Sequence, residues 1–183
     1  MSVFAERGYA GASIAEIAKG AGVAGSVIYD HFPSKAALHI ELLENQGDAV
    51  IAYSAQALKD EPADQLTRRT ISAFFEFVER HPFAWRMLFR DPPADPDIAA
   101  AHRRVQDRAT QAIAALFATQ AELHTSVSLP RAQVNEMLGE TAKSAINGLA
   151  GWWWEHPEIP RSAVVGLAQD LLWTGLERLA TIA

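Results

Sequence analysis

Three side chains able to hold an anion fall close together in the stretch AGVAGSVIYDHFPSK, residues 21 to 35: the phenol of Tyr29, the imidazole of His31 and the ammonium of Lys35. The first two are neutral donors and the third is a point charge. Ser34 beside Lys35 is suited to cap a helix start, and the unpaired N–H groups of such a start also favour an anion. The set fits the phosphates of a nucleic-acid backbone. The alternative is that Tyr29 and His31 only pack between the helices on either side.

Side chains of this kind need a frame, and the preceding residues supply one. Ser13 with Glu16 three positions on is a capping box, which opens a helix carrying Ile14, Ile17, Ala18 and Ala21 on its apolar face. Gly22 breaks that helix, and a short helix over about residues 24–30 follows. Two helices joined by a tight turn form a helix-turn-helix, whose second helix can enter the major groove of DNA. The motif wants a small residue where the helices cross, a positive φ four residues later and an aliphatic brace six further on. Ala18, Gly22 and Ile28 meet these demands.

The whole run FAERGYAGASIAEIAKGAGVAGSVIYDHFPSKAAL resembles the N-terminal domain of the tetracycline-repressor (TetR) family. Phe4, Gly8, Tyr9, Ser13, Ile14, Ile17, Ala18, Ala21, Gly22, Val23, Ile28, Tyr29, His31, Phe32, Ser34, Lys35 and Leu38 carry the resemblance, over about a fifth of the chain. It implies a dimeric DNA-binding regulator, most often a repressor released by a small ligand. The DNA-facing positions are then Ser13, Ala24, Gly25, Ser26, Val27, Tyr29, His31 and Lys35. Gly25, Ser26 and Val27 are the expected base-edge readers: Val27 can pack on a thymine methyl and Ser26 can donate or accept. The family usually places threonine where Ala12 stands, serine or threonine where Ala24 stands, and glycine or alanine where Ser26 stands. Ala12 and Ala24 therefore forfeit two phosphate-contacting hydroxyls. The family's basic arm ahead of the first helix does not appear from Met1 onward. Residues 1 to about 7 read as the tail of a helix closed by Gly8, too short to stand alone, which suggests that the helix begins earlier than Met1.

Charge does not carry the binding. Arg7, Lys19 and Lys35 oppose Glu6, Glu16 and Asp30 over residues 1–38, and the full chain of 183 residues has a formal net charge of -6. A neutral domain implies weak nonspecific affinity and a need for two copies. Asp30 is expected to point away from DNA.

The remaining chain reads as helices. Ser34 opens a long fourth helix, and the domain boundary is placed inside it near residue 45, giving a DNA-binding domain over 1–45 and a helical ligand-binding and dimerisation domain over 46–183. Further helices follow to about Arg80, over FAWRMLFR after Pro82, over about 96–122, and over about 131–155 and 161–182. The fold class is all-α, with about nine helices and no strand. In the last two helices, Leu138, Ala142, Ala145, Leu149 and Trp152, and Val164, Ala168, Leu171, Gly175 and Leu179, recur at spacings of three and four. Such seams make a four-helix bundle between two subunits, or else face the subunit's own core. GWWWEHP spreads three tryptophans through about 200° of helix, so Trp153 and Trp154 look elsewhere than Trp152, and at least one is expected to cross to the partner. Candidate lining for an effector pocket is Phe74, Phe77, Trp85, Met87, Phe89, Phe117 and Trp153. The alternative for each is plain core. The expected effector is a moderately hydrophobic small molecule.

Several functions are excluded or disfavoured. There is no cysteine, which removes disulfides, thiolate metal sites and cysteine nucleophiles and fits a reducing cytoplasm. No apolar run approaches the roughly 20 residues of a membrane span. RDPPADPD lacks the alternating oxygens and glycine of a metal loop, and Asp95 or Asp97 reads as a helix cap. No glycine-rich phosphate loop, nucleophile elbow or H-x-x-x-H pair occurs. No catalytic residue, metal or cofactor is expected. Three readings compete with the repressor: an activator of the same fold, a helical protein- or ligand-binding module without DNA binding, and an α-helical enzyme.

Overall fold

The computed structural model of the chain describes residues 2–57, 65–90, 95–119 and 126–181, with side chains in the last helix as far as Leu172. Among these residues there are nine helices and no strand: α1 (Ser2–Gly11), α2 (Ile14–Ala21), α3 (Gly25–His31), α4 (Lys35–Ala57), α5 (Leu66–Arg80), α6 (Pro82–Phe89), α7 (Pro96–Ala118), α8 (Arg131–Glu155) and α9 (Arg161–Thr181). None is long and apolar enough to cross a membrane. The helix ends follow the expected signals. Asp95 caps α7, its Oδ1 accepting from the N–H groups of Asp97 and Ile98 at 3.0 and 3.2 Å. Gly8, with φ 68°, interrupts α1, which resumes for a turn beyond it.

The residues cluster into two compact units. One holds Met1–Ala49 and His81–Gln106; the other holds Val50–Arg80 and Asp107–Ala183. The division crosses α4 at Ala49. Unlike a single cut, it also gives the first unit α6 and the start of α7.

In the first unit, Phe4, Ala12, Ala18, Ile28 and Leu38 form a buried core, with Tyr9, Ile14, Ile17, Phe32 and Leu42 packed around it. α1 also packs on α6, whose Trp85 and Leu88 are fully buried. His39 of α4 is buried beside α1. The ring of Phe4 meets it edge-on at 4.8 Å and that of Tyr9 at 5.2 Å.

In the second unit, α5 packs along α9. Arg161 of α9 fastens the pair by reaching Glu79 at 3.2 Å and Glu76 at 3.9 Å. α7 and α8 approach closely at Gly139, where an added Cβ would lie 2.8 Å from the Thr110 carbonyl oxygen. Beside this crossing, buried Lys143 donates to the Thr110 hydroxyl at 2.8 Å and pairs with Glu140 at 2.7 Å. The hydrogen bond from Lys143, then that from Thr110, hold the Glu140 carboxyl below its ordinary pKa.

Candidate nucleic-acid interface

Local chemistry sets α2 and α3 against each other. Ser13 accepts from the Glu16 N–H at 3.2 Å, and Glu16 accepts in return from the Ser13 N–H at 3.2 Å and hydroxyl at 2.8 Å. These bonds, with Arg7 at 2.8 Å, hold the Glu16 carboxyl below its ordinary pKa. α2 ends at Gly22, whose φ of 70° is the left-handed conformation that glycine adopts at little cost. The turn is closed by Val23 N–H donating to the Ala18 carbonyl at 3.0 Å. Ala18 and Ile28 are buried in the same core, which fixes the rotation of α3 about its axis.

That rotation determines what α3 presents. Ser26, Val27, Tyr29, Asp30 and His31 are exposed, and Gly25 is half-buried. Tyr29 is 58% exposed and Val27 40%. The alternative in which Tyr29 is packed between helices does not describe this arrangement. Ala24 precedes α3 and makes no side-chain cap, so the hydroxyl missing at that position is not replaced from within the helix. Val23, ahead of α3, is also exposed.

Two predicted DNA-facing residues are otherwise engaged. The Ser13 hydroxyl is committed to the capping box. The Lys35 ammonium donates to the carbonyls of Tyr9 at 2.8 Å and Ala12 at 2.9 Å, and lies 4.5 Å from the Tyr9 ring centre. Lys35 thus braces the end of α1 against the start of α4, using two of its three donors. Ser34 performs its expected role, accepting from the Ala37 N–H at 3.0 Å.

Residues 1–42 match the sequence model of a family described as bacterial regulatory proteins, tetR family. The HTH-type transcriptional activator FasR of Mycolicibacterium smegmatis is 34% identical over 113 residues, which is 61% of this chain and 52% of FasR. Over its first 42 residues the chain is thus similar to the TetR family. It spans about half the length of that curated relative. Solved structures extend the likeness of fold to nearly the whole chain. The fatty acid degradation regulator FadR of Bacillus halodurans has a TM-score of 0.78 at 19% identity, covering 96% of this chain and 94% of its own. FadR of Bacillus subtilis in complex with stearoyl-CoA has a TM-score of 0.71 at 16% identity, covering 96% and 92%. A TetR-like regulator from Rhodococcus sp. RHA1 has a TM-score of 0.74 at 22% identity, covering 96% and 90%.

Beyond residues 1–42, the residues expected around an effector divide between the two units. Trp85, Met87 and Phe89 belong to the first; Phe74, Phe77, Phe117 and Trp153 belong to the second. Trp85, Met87, Phe77 and Phe117 are buried, and Phe74, Phe89 and Trp153 are half-buried. Within the second unit, the ring of Phe75 lies 5.5 Å from Phe74 and 5.9 Å from Trp153, edge-on to both. The Trp153 indole N–H donates to the Ile159 carbonyl at 2.7 Å and closes the turn into α9.

The residues of the expected dimer seam differ in burial within the chain. On α8, Leu138, Ala142 and Leu149 are half-buried, while Ala145 and Trp152 are exposed. The outward stripe runs through Met137, Thr141, Ala145, Gly148 and Trp152, largely one position to the side of the predicted one. On α9, Val164 and Ala168 are buried within the unit, while Leu167 and Leu171 are 61% and 69% exposed. The side chains at Gly175 and Leu179 lie outside the described residues. Trp154 is exposed, and Trp152 stacks on His156 at 4.2 Å.

Proposed function

We propose that the chain is a DNA-binding transcriptional regulator that acts in the cytoplasm as a homodimer on a near-palindromic operator and answers to a hydrophobic effector. One observation carries the DNA-binding reading. The Gly22 turn and the Ile28 brace hold α3 so that Ser26, Val27 and Tyr29 are presented outward, unspent on the chain's own packing. Two such helices, one per subunit, would read half-sites one or more DNA turns apart.

The dimer is supported by the exposed apolar stripes of α8 and α9. Gly148 and Gly166 support it independently. Each lies inside a helix, where glycine costs about 1 kcal/mol relative to alanine, yet a Cβ at either position would meet nothing within 4 Å. Close approach of a second copy gives those glycines a purpose. Leu171→Glu is expected to shift the chain from dimer to monomer in sedimentation equilibrium. A dimer unaltered by it places the interface elsewhere.

For the effector, the relative whose structure holds stearoyl-CoA favours a long acyl chain on coenzyme A. The coupling must come from unequal affinity of that ligand for two states of the dimer. It is assigned to α4, which contributes residues to both units. Repression with release by the effector is the first reading. Activation is the second, favoured by the name of FasR.

The test is selection from a randomised duplex pool by the full chain, followed by titration of the selected duplex with stearoyl-CoA. A near-palindromic site is expected to be enriched, with affinity lowered by the thioester. Failure to enrich any sequence refutes the DNA-binding reading. Unaltered affinity refutes the acyl effector.

A further inference from the structure

Asp30 has no role in the frame described above, and its position is unfavourable on three counts. It is the penultimate residue of α3, where a carboxylate faces the negative end of the helix dipole. Among the described residues, no hydrogen bond or ion pair reaches it, since Arg7 pairs with Glu16 and Lys35 is turned to the carbonyls of Tyr9 and Ala12. It also stands on the element that would approach a groove lined by phosphates, where an unmatched negative charge opposes binding.

Its direction can be worked out from Ile28. Successive residues advance by about 100° around a helix, so the direction opposite Ile28 falls midway between Ser26 and Asp30, about 20° from each. Ile28 is buried and both of the others are exposed. Val27 and Tyr29 flank them on opposite sides. A hydroxyl and a carboxylate therefore occupy the centre of the outward face, and Asp30 points where a base edge would lie. α3 is about 10 Å long, short enough for both its ends to lie within a major groove.

Base edges offer a carboxylate a favourable partner in the exocyclic amino group of cytosine, which carries hydrogen-bond donors into the major groove. α3 contains no Arg, Lys, Asn or Gln, so it cannot make the paired contacts by which those residues read guanine or adenine. What remains is acceptance by Asp30, methyl contact by Val27 and the hydroxyl of Ser26. We infer that Asp30 is a specificity residue, accepting a hydrogen bond from the N4 amino group of one cytosine in each operator half-site. The inference rests on the DNA-binding reading and names what that site selects.

The test compares the full-length wild type with Asp30→Ala and Asp30→Asn in selection from a randomised duplex pool at fixed salt. Thermal melting checks that both variants are folded. The wild type is expected to prefer cytosine roughly tenfold at one position of each half-site. Asp30→Ala should reduce that preference to within about twofold, keep the preferences elsewhere and bind at least as tightly overall, because a negative charge has left the groove. Asp30→Asn should move the preference from cytosine to adenine. An enriched site whose base preferences are the same for wild type and Asp30→Ala overturns this inference alone. A wild type that enriches nothing overturns the DNA-binding reading and this inference with it.

Discussion

Lowering the pH from 7 to 5 is expected to destabilise the unit that carries the helix-turn-helix, and His39 sets the size of the effect. Its side chain is 3% exposed, and neither ring nitrogen has a hydrogen-bond partner. Burial first, then the nearby Lys35 and His102, push its pKa down from 6.5 to about 4, against an opposing pull from Asp95. A histidine whose pKa is lower in the folded state takes up its proton more readily when unfolded. The native state is therefore undiminished above pH 6.5, loses stability as the pH falls below that value, and stops losing it below about pH 4. At pH 5 the loss is roughly 2 kcal/mol, from 1.5 pH units at about 1.4 kcal/mol each. The assay is urea unfolding of the wild type and His39→Leu at pH 7 and pH 5. Leucine fills a similar volume without a titrating group, so other ionisations cancel in the difference between the two proteins. The wild type should lose roughly 2 kcal/mol more than the variant between the two pH values. Parallel losses in the two proteins would refute the account of His39.

Two further substitutions probe close contacts. Lys35→Met leaves the Tyr9 and Ala12 carbonyls without their ammonium and should lower unfolding free energy by roughly 1–3 kcal/mol, measured by urea titration at pH 7. Gly139→Ala drives a methyl against the backbone of α7 and should cost roughly 1–3 kcal/mol in thermal melts.

Much of the helix-turn-helix domain was legible because its determinants are local. Ser13 and Glu16 meet across one helical turn, Gly22 closes the helix it ends, and Ile28 braces Ala18 across that turn. The bracing contacts of Lys35 were not legible, for the opposite reason. Its partners are the carbonyls of residues 23 and 26 positions earlier, and no spacing rule reports a contact at that range. Asp30, expected from the sequence to point away from DNA, lies exposed on the side of α3 away from buried Ile28. The seams of α8 and α9 were ambiguous because two adjacent stripes on each helix are apolar. Val164 and Leu167 fit the same periodicity, and only the packing of α5 along α9 distinguishes the buried from the exposed one. The aromatic residues proposed around an effector show the same limit. Trp85 and Phe74 read alike in sequence as core or lining, and helical spacing alone does not separate the buried one from the half-buried one.

The first unit's two chain segments have a consequence for the order of synthesis. Helices α1 to α3 leave the ribosome early, but α6, on which α1 packs, lies beyond Val50–Arg80, and the unit closes only with Gln106. At roughly 5–20 residues per second, the nascent chain holds an incomplete reading head for roughly 3–11 s. During that interval the side of α1 that will meet α6 is open to other chains. A fragment ending in α4 would carry the same open side permanently, so the isolated helix-turn-helix segment should need protection from aggregation that the longer chain provides for itself.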